Sequence, residues 1–213
     1  MKRGSTRRYN SELRRQAADE TRGRVLDAAR KLFVRHGIDR VTIAQIAGAA
    51  GVAASTVYAI YKSKEGILRE LMRATLFGER FQVVQSTLQD ERDAVRLIAL
   101  SAHVARAIYE GENVELGLMR GSSAFSPALR KLEQEFEQVR FEMQEERVKA
   151  LFAQRRQKKN LTFDDARRIL WMYTSRDVYR MLVRESGWSP DRYQEWLSQT
   201  LLDALVAPNA GFS

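Results

Sequence analysis

At 213 residues, 44% hydrophobic and 30% charged, the chain has enough apolar surface to bury one or two cores and is no disordered polyelectrolyte. Three Pro and 12 Gly are too few breakers for a β-sandwich, and zero Cys with 2 His exclude disulfide scaffolds, thiol nucleophiles and Cys/His zinc sites. Of the net +9, residues 1–66 hold 14 Lys/Arg against 6 Asp/Glu while the remaining 147 hold 22 against 21; one basic end suits a polyanion-binding module joined to a neutral domain, although a solvated helical surface explains charge alone equally well.

Residues 1–20 carry Arg3, Arg7, Arg8, Arg14 and Arg15 with almost no bulky apolar side chain before Leu13, and are expected to form a basic, flexible arm that turns helical from Ser11. Met1-Lys2-Arg3-Gly4 leads into polar sequence, and no apolar run reaches the ~18 residues that span a bilayer, so a cytoplasmic protein with no membrane partner is expected. An amphipathic helix is predicted over about Thr21 to His36, with Val25, Ala29, Leu32 and Phe33 on one face, His36 in its last turn and Gly37 as its left-handed stop. Next comes Val41-Thr42-Ile43-Ala44-Gln45-Ile46-Ala47-Gly48-Ala49-Ala50-Gly51-Val52-Ala53-Ala54-Ser55-Thr56-Val57-Tyr58-Ala59-Ile60-Tyr61. Thr42 suits the cap of a short helix whose inner face is Ile46, Ala47 and Ala50; Gly51 supplies a positive φ; a second short helix puts Val57 and Tyr61 in the core. This is helix-turn-helix spacing, and the outward Ala54, Ser55, Thr56, Tyr58 and Ala59 are small or hydroxylated groups that approach base edges and phosphates closely. Ser63 caps the following helix. Lys64 in its first turn opposes the helix dipole, a conflict that a bound phosphate would resolve.

These residues resemble the DNA-binding domain of the tetracycline-repressor (TetR) family of bacterial regulators. The likeness runs through Leu32-Phe33-Val34-Arg35-His36-Gly37, Thr42 to Ala47, Gly51-Val52, Thr56-Val57-Tyr58 and Lys62-Ser63-Lys64-Glu65. It implies a three-helix DNA-binding head, a larger all-α ligand-binding and dimerisation body, and a homodimer that leaves double-stranded operator DNA when a small apolar or amphipathic effector binds. The family's DNA-contacting positions carry over onto Thr42, Ala44, Gln45, Ala54, Ser55, Thr56, Tyr58 and Lys64. Ala44 and Ala54 offer no hydrogen bond, so base readout rests on Gln45, Ser55 and Thr56 with apolar contacts to thymine methyls.

The organisation expected is an all-α chain with an arm over 1–20, the helix-turn-helix domain over 21–66 and a helical body over 67–213. Within the body, helices are predicted from Ser63 to about Gln85, Arg92 to Tyr109, Ser126-Pro127 through Ala150 to about Arg155, 162 to 186, and Ser189-Pro190-Asp191 to about Val206, with Pro208 beginning a frayed tail. The last carries Tyr193, Trp196, Leu197, Thr200, Leu201 and Ala204 on one broad stripe. With Ile169, Leu170, Tyr173, Val178 and Leu182 of the helix over 162 to 186, that stripe suits half of an intermolecular four-helix bundle or the inside of a single subunit equally; the family resemblance favours a homodimer interface through both helices. His103, Tyr109, Met119, Phe125, Trp171, Met172, Tyr173, Arg176 and Tyr179 are soft, aromatic or polar residues on central helices, the kind that line effector pockets. No enzymatic activity, metal or cofactor is expected, because neither Gly-x-Ser-x-Gly nor a Walker-type loop occurs. The expected function is a one-component regulator, most simply a repressor; the alternative is an architectural, nucleoid-type DNA-binding protein without an effector.

Overall fold

The computed structural model describes residues 4–112, Gly117 and 126–208, with side chains from Leu13 onward. Two units emerge, Met1–Arg73 with Val114–Glu133, and Ala74–Asn113 with Gln134–Ser213. Among the described residues the regular structure is helical, apart from one isolated bridge between Gln157 and Val206. No single helix is long and apolar enough to cross a membrane.

The first unit opens with α1 (Gly4–His36). The expected flexible arm is helical from Gly4 onward: residues 5–20 contain no Pro or Gly and several good helix formers, so the backbone continues without an apolar face to hold it. Val25, Ala28, Ala29 and Phe33 are buried along its second half. Gly37 ends it with φ 78° and an N–H bonded to the Phe33 carbonyl at 2.9 Å. Then come α2 (Ile43–Ala50), α3 (Ala54–Tyr61) and α4 (Lys64–Leu76).

The second unit holds α5 (Glu79–Gln89), α6 (Ala94–Glu110), α7 (Pro127–Met143) from Gln134 onward, α8 (Glu145–Ala153), α9 (Phe163–Tyr173), the short α10 (Arg176–Tyr179) leading into a π-helical stretch over Arg180–Glu185, and α11 (Pro190–Leu205). Asp93, Thr162, Ser175 and Ser189 cap the helices that follow them. Three expected helices are broken. The one from Ser63 splits at Phe77-Gly78, where a Cβ on Gly78 would lie 2.5 Å from the Ala74 carbonyl oxygen and Phe77 sets its ring edge-on to Phe81 at 5.0 Å. The one from Pro127 breaks at Gln144, whose side chain turns inward to donate to the Thr174 hydroxyl at 2.8 Å. Thr174 itself interrupts the third, its hydroxyl bonded back to the Leu170 carbonyl at 2.6 Å. Gly111 follows α6 as a turn, whereas Gly121, Met119 and Phe125 lie outside the described residues.

α6 and α11 form the spine of this unit. Val95, Ile98, Ala102 and Ala105 are buried on α6, and Tyr193, Leu197, Leu201 and Leu205 on α11. Beyond α11 the chain does not fray at once: Ala207 N–H bonds to the Arg156 carbonyl and Lys158 N–H to the Leu205 carbonyl, both at 2.9 Å.

Candidate nucleic-acid interface and interior cavity

The helix-turn-helix is built from local chemistry. The Thr42 hydroxyl accepts from the Gln45 N–H at 3.2 Å while Gln45 Oε1 accepts from the Thr42 N–H at 2.9 Å, a reciprocal capping box that starts α2. Gly51, at φ 65°, ends it, and the Val52 N–H closes the turn on the Ala47 carbonyl at 3.0 Å. The helix axes then bend by 109° between α2 and α3, within the range of such a motif. Ile43, Ile46, Ala47, Ala50 and Val57 are buried. Tyr61 is half-buried instead, its hydroxyl donating to the Arg22 carbonyl of α1 at 3.1 Å, and burial raises its pKa.

Thr42, Ala44, Gln45, Ser55 and Tyr58 are exposed and Ala54, Thr56 and Lys64 half-exposed, so all eight expected contact residues reach solvent from α2, α3 and the start of α4. Two are engaged within the protein as well. Gln45 spends its carbonyl on the capping box, leaving its NH2 as the group able to reach a base. The Lys64 ammonium donates to the Ile38 and Asp39 carbonyls at 2.8 and 3.4 Å, tying α4 to the turn after α1 and leaving one of its three hydrogens for a phosphate. Ser63 caps as expected, accepting from the Gly66 N–H at 3.1 Å. Two features had no sequence signal. Lys62 takes φ 65° with its ammonium on the Ala59 carbonyl, and a Cβ on Gly66 would stand 2.0 Å from the Tyr61 carbonyl oxygen.

In the second unit, Ser101, Val104, Ala105, Ile108, Arg140, Met143, Gln144, Arg147 and Thr174 line a cavity of about 10 Å³, room for one water at most. A groove of about 370 Å³ shares Met143 and Arg147 with it and opens to solvent past Leu88, Leu97 and Ala150. A second groove, about 490 Å³, is lined by Arg80, Val83, His103, Arg106 and Gln194 among others. His103 Nε2 lies 3.1 Å from the Gln194 amide nitrogen, and burial, then the nearby Arg106 charge, lowers its pKa from the ordinary 6.5, keeping the imidazole neutral.

Residues 25–71 match the profile of bacterial regulatory proteins, tetR family. Over these residues the chain is similar to the DNA-binding domain of the TetR family. The transcriptional repressor KstR2 of Rhodococcus jostii is 33% identical over 110 residues, 45% of this chain and 54% of that protein; the chain thus spans about half the length of the curated relatives it matches. The fold extends further. The complex of SmeT, a repressor from Stenotrophomonas maltophilia, with triclosan superposes with a TM-score of 0.68 at 21% identity, covering 90% of this chain and 94% of that one. FadR of Bacillus subtilis with stearoyl-CoA gives 0.63 at 18%, covering 84% and 96%.

Within this fold, the expected effector residues scatter. Trp171 and Met172 are 37% and 49% exposed on the outer side of α9. Tyr109 and Tyr179 are core, their rings 5.8 Å apart and continued by Tyr193 at 4.8 Å from Tyr179. Arg176 is taken by Glu112 at 2.6 Å, and Tyr173 packs edge-on to Trp196 at 6.5 Å. None of these lines the interior cavity, and His103 faces the second groove. The cavity's polar lining instead comes from Arg140, Gln144 and Arg147, at i, i+4 and i+7 on α7–α8, a stripe that amphipathic reading assigns to solvent. The expected dimer stripe divides within the single chain. Tyr193, Leu197 and Leu201 are 0% exposed in a single chain, because α11 spends its apolar face on α6; burial pushes the Tyr193 phenol far up its pKa scale. Trp196, Thr200 and Ala204 at the edges remain half-exposed.

Proposed function

We propose that this protein is a ligand-responsive transcriptional repressor that binds palindromic operator DNA as a homodimer and leaves it when a small amphipathic molecule occupies the helical body. The observation that carries the reading is the α2–α3 corner: two short helices at 109° whose second member presents Ser55, Thr56 and Tyr58 outward. Small and hydroxylated side chains at these positions suit a helix that enters a groove. The repressor relatives and the ligand complexes of SmeT and FadR support regulation by small molecules, and the grooves of the body favour it over a purely architectural role.

The recognition helix enters the major groove N-terminus first, with Ser55, Thr56 and the Gln45 amide toward bases and Lys64, Tyr58 and Thr42 toward phosphates. Ala44 and Ala54 make room for thymine methyls. Selection of bound sequences from random DNA tests this: a palindrome is expected, and a single non-repeated site or no enrichment overturns it. On the selected sequence, Thr56→Ala relaxes preference at one base pair per half-site. Lys64→Ala weakens binding to all sequences and lowers the salt slope by about one unit.

A further inference from the structure

On α7 and α8 the inward stripe carries two arginines, and the protein treats them differently. Arg140, 6% exposed, is fully answered: Glu137 takes it at 2.6 and 3.1 Å, and the Trp171 carbonyl and Thr174 hydroxyl accept from Nη1 at 2.8 and 2.9 Å. Arg147, also 6% exposed, donates only to the Ser101 hydroxyl at 3.1 Å, and among the described residues no carboxylate comes within ion-pair distance. Burial brings its pKa down to about 10, so it keeps its charge at neutral pH. Beside it, Gln144 is 5% exposed with an Oε1 that has no partner. A buried guanidinium held for stability is given an anion, as Arg140 is; an unanswered one is costly to keep.

The surroundings show where an anion would come from. The cavity next to Arg147 takes no more than a water, but the 370 Å³ groove reaches the same side chain from solvent, and that volume lies in the range of small-molecule sites. Its walls supply Leu88, Leu97, Met143 and Ala150 for an apolar skeleton. The two carboxylates on the groove, Glu91 and Glu146, are neutralised by Arg96 at 3.7 Å and Lys149 at 2.8 Å. Gln85, also on the groove, has a second buried Oε1 without a partner, ready for a hydroxyl or amide N–H.

We propose that the effector is an organic acid on an apolar skeleton, entering by the groove between α5, α6 and α8, with its carboxylate bound by Arg147. This rests on the ligand-responsive reading and names the ligand class for it.

The test uses octanoate, octan-1-ol and octylammonium as probes, titrated calorimetrically into the full-length protein. Octanoate is expected to bind at least tenfold more tightly than the other two. Arg147→Met should reduce its affinity to that of the alcohol, and Arg147→Lys should keep part of the preference. Without ligand, Arg147→Met should melt above the wild type, since it removes an unanswered buried charge at nearly constant volume. The proposal is overturned if wild type does not bind octanoate, if it binds the three probes alike, if Arg147→Met binds octanoate unchanged, or if that variant melts lower, which would make Arg147 a structural prop. Retention of selected DNA is read in parallel: octanoate binding that depends on Arg147 without altering DNA affinity leaves the acid site standing and removes the effector role.

Discussion

Gly51 and Gly66 are both glycines of the head, for different reasons. Gly51 has φ 65° with the nearest atom to a built Cβ, Arg24 Nη1, at 4.0 Å, so its constraint is purely conformational. It is legible in the sequence because a Gly between two short apolar helices is the signature of a left-handed stop. Gly66 sits inside the first turn of α4, and its constraint is the Tyr61 carbonyl oxygen 2.0 Å from where a Cβ would be. No pattern announces that, because the carbonyl is brought there by the Lys62 turn at φ 65°. Gly51→Ala should therefore cost about 1 kcal/mol, the penalty for an L-residue in the left-handed region. Gly66→Ala should cost at least about 2 kcal/mol, since backbone must move. Urea denaturation of the two variants checks the order; equal midpoints would show that the turn before α4 yields freely.

At the level of elements, starts were legible and interruptions were not. Thr42, Thr162 and Ser189 each accept the backbone N–H three residues on, which residue type and position announce. The breaks at Gln144 and Thr174 are instead tied together by a hydrogen bond between those two residues, 30 apart in sequence, and no local propensity carries that bond. The α11 stripe is ambiguous for a related reason: periodicity shows that a face is apolar, not which neighbour covers it. With Leu201 fully buried inside one chain, Leu201→Glu places an unpaired carboxylate in the core and should unfold the protein, at a cost of several kcal/mol by order of magnitude. The interface of the proposed homodimer is better sought on apolar side chains that remain outside, Trp171 and Met172 on α9 and Met181 in the π-helical stretch, at 37%, 49% and 45% exposure. Trp171→Glu with Met172→Glu should give folded monomers, with helical circular dichroism retained and half the wild-type mass by light scattering. A folded double variant that stays dimeric removes that face from the interface.

Across the whole molecule, charge asymmetry separated a basic head from a balanced body, and the family profile falls on the head, over residues 25–71. The effector site was far less legible: an arginine on an amphipathic helix is ordinarily a solvent-facing residue, and only packing shows that Arg147 is not. α4 and α7 each contain a boundary between the two units, at Arg73–Ala74 and Glu133–Gln134, and the proposed function requires that occupancy of one unit bias the other. If such a bias exists it is reciprocal, because the coupling free energy belongs to the pair of ligands. Octanoate should lower affinity for the selected DNA by a factor of about 5 to 150, the usual span of such couplings, and saturating DNA should lower octanoate affinity by the same factor. Both arms must be run at one ionic strength, since DNA affinity falls steeply with salt while a desolvated arginine–carboxylate contact changes little. Octanoate affinity that is identical with and without bound DNA would show that the acid site and the recognition helix are thermodynamically independent.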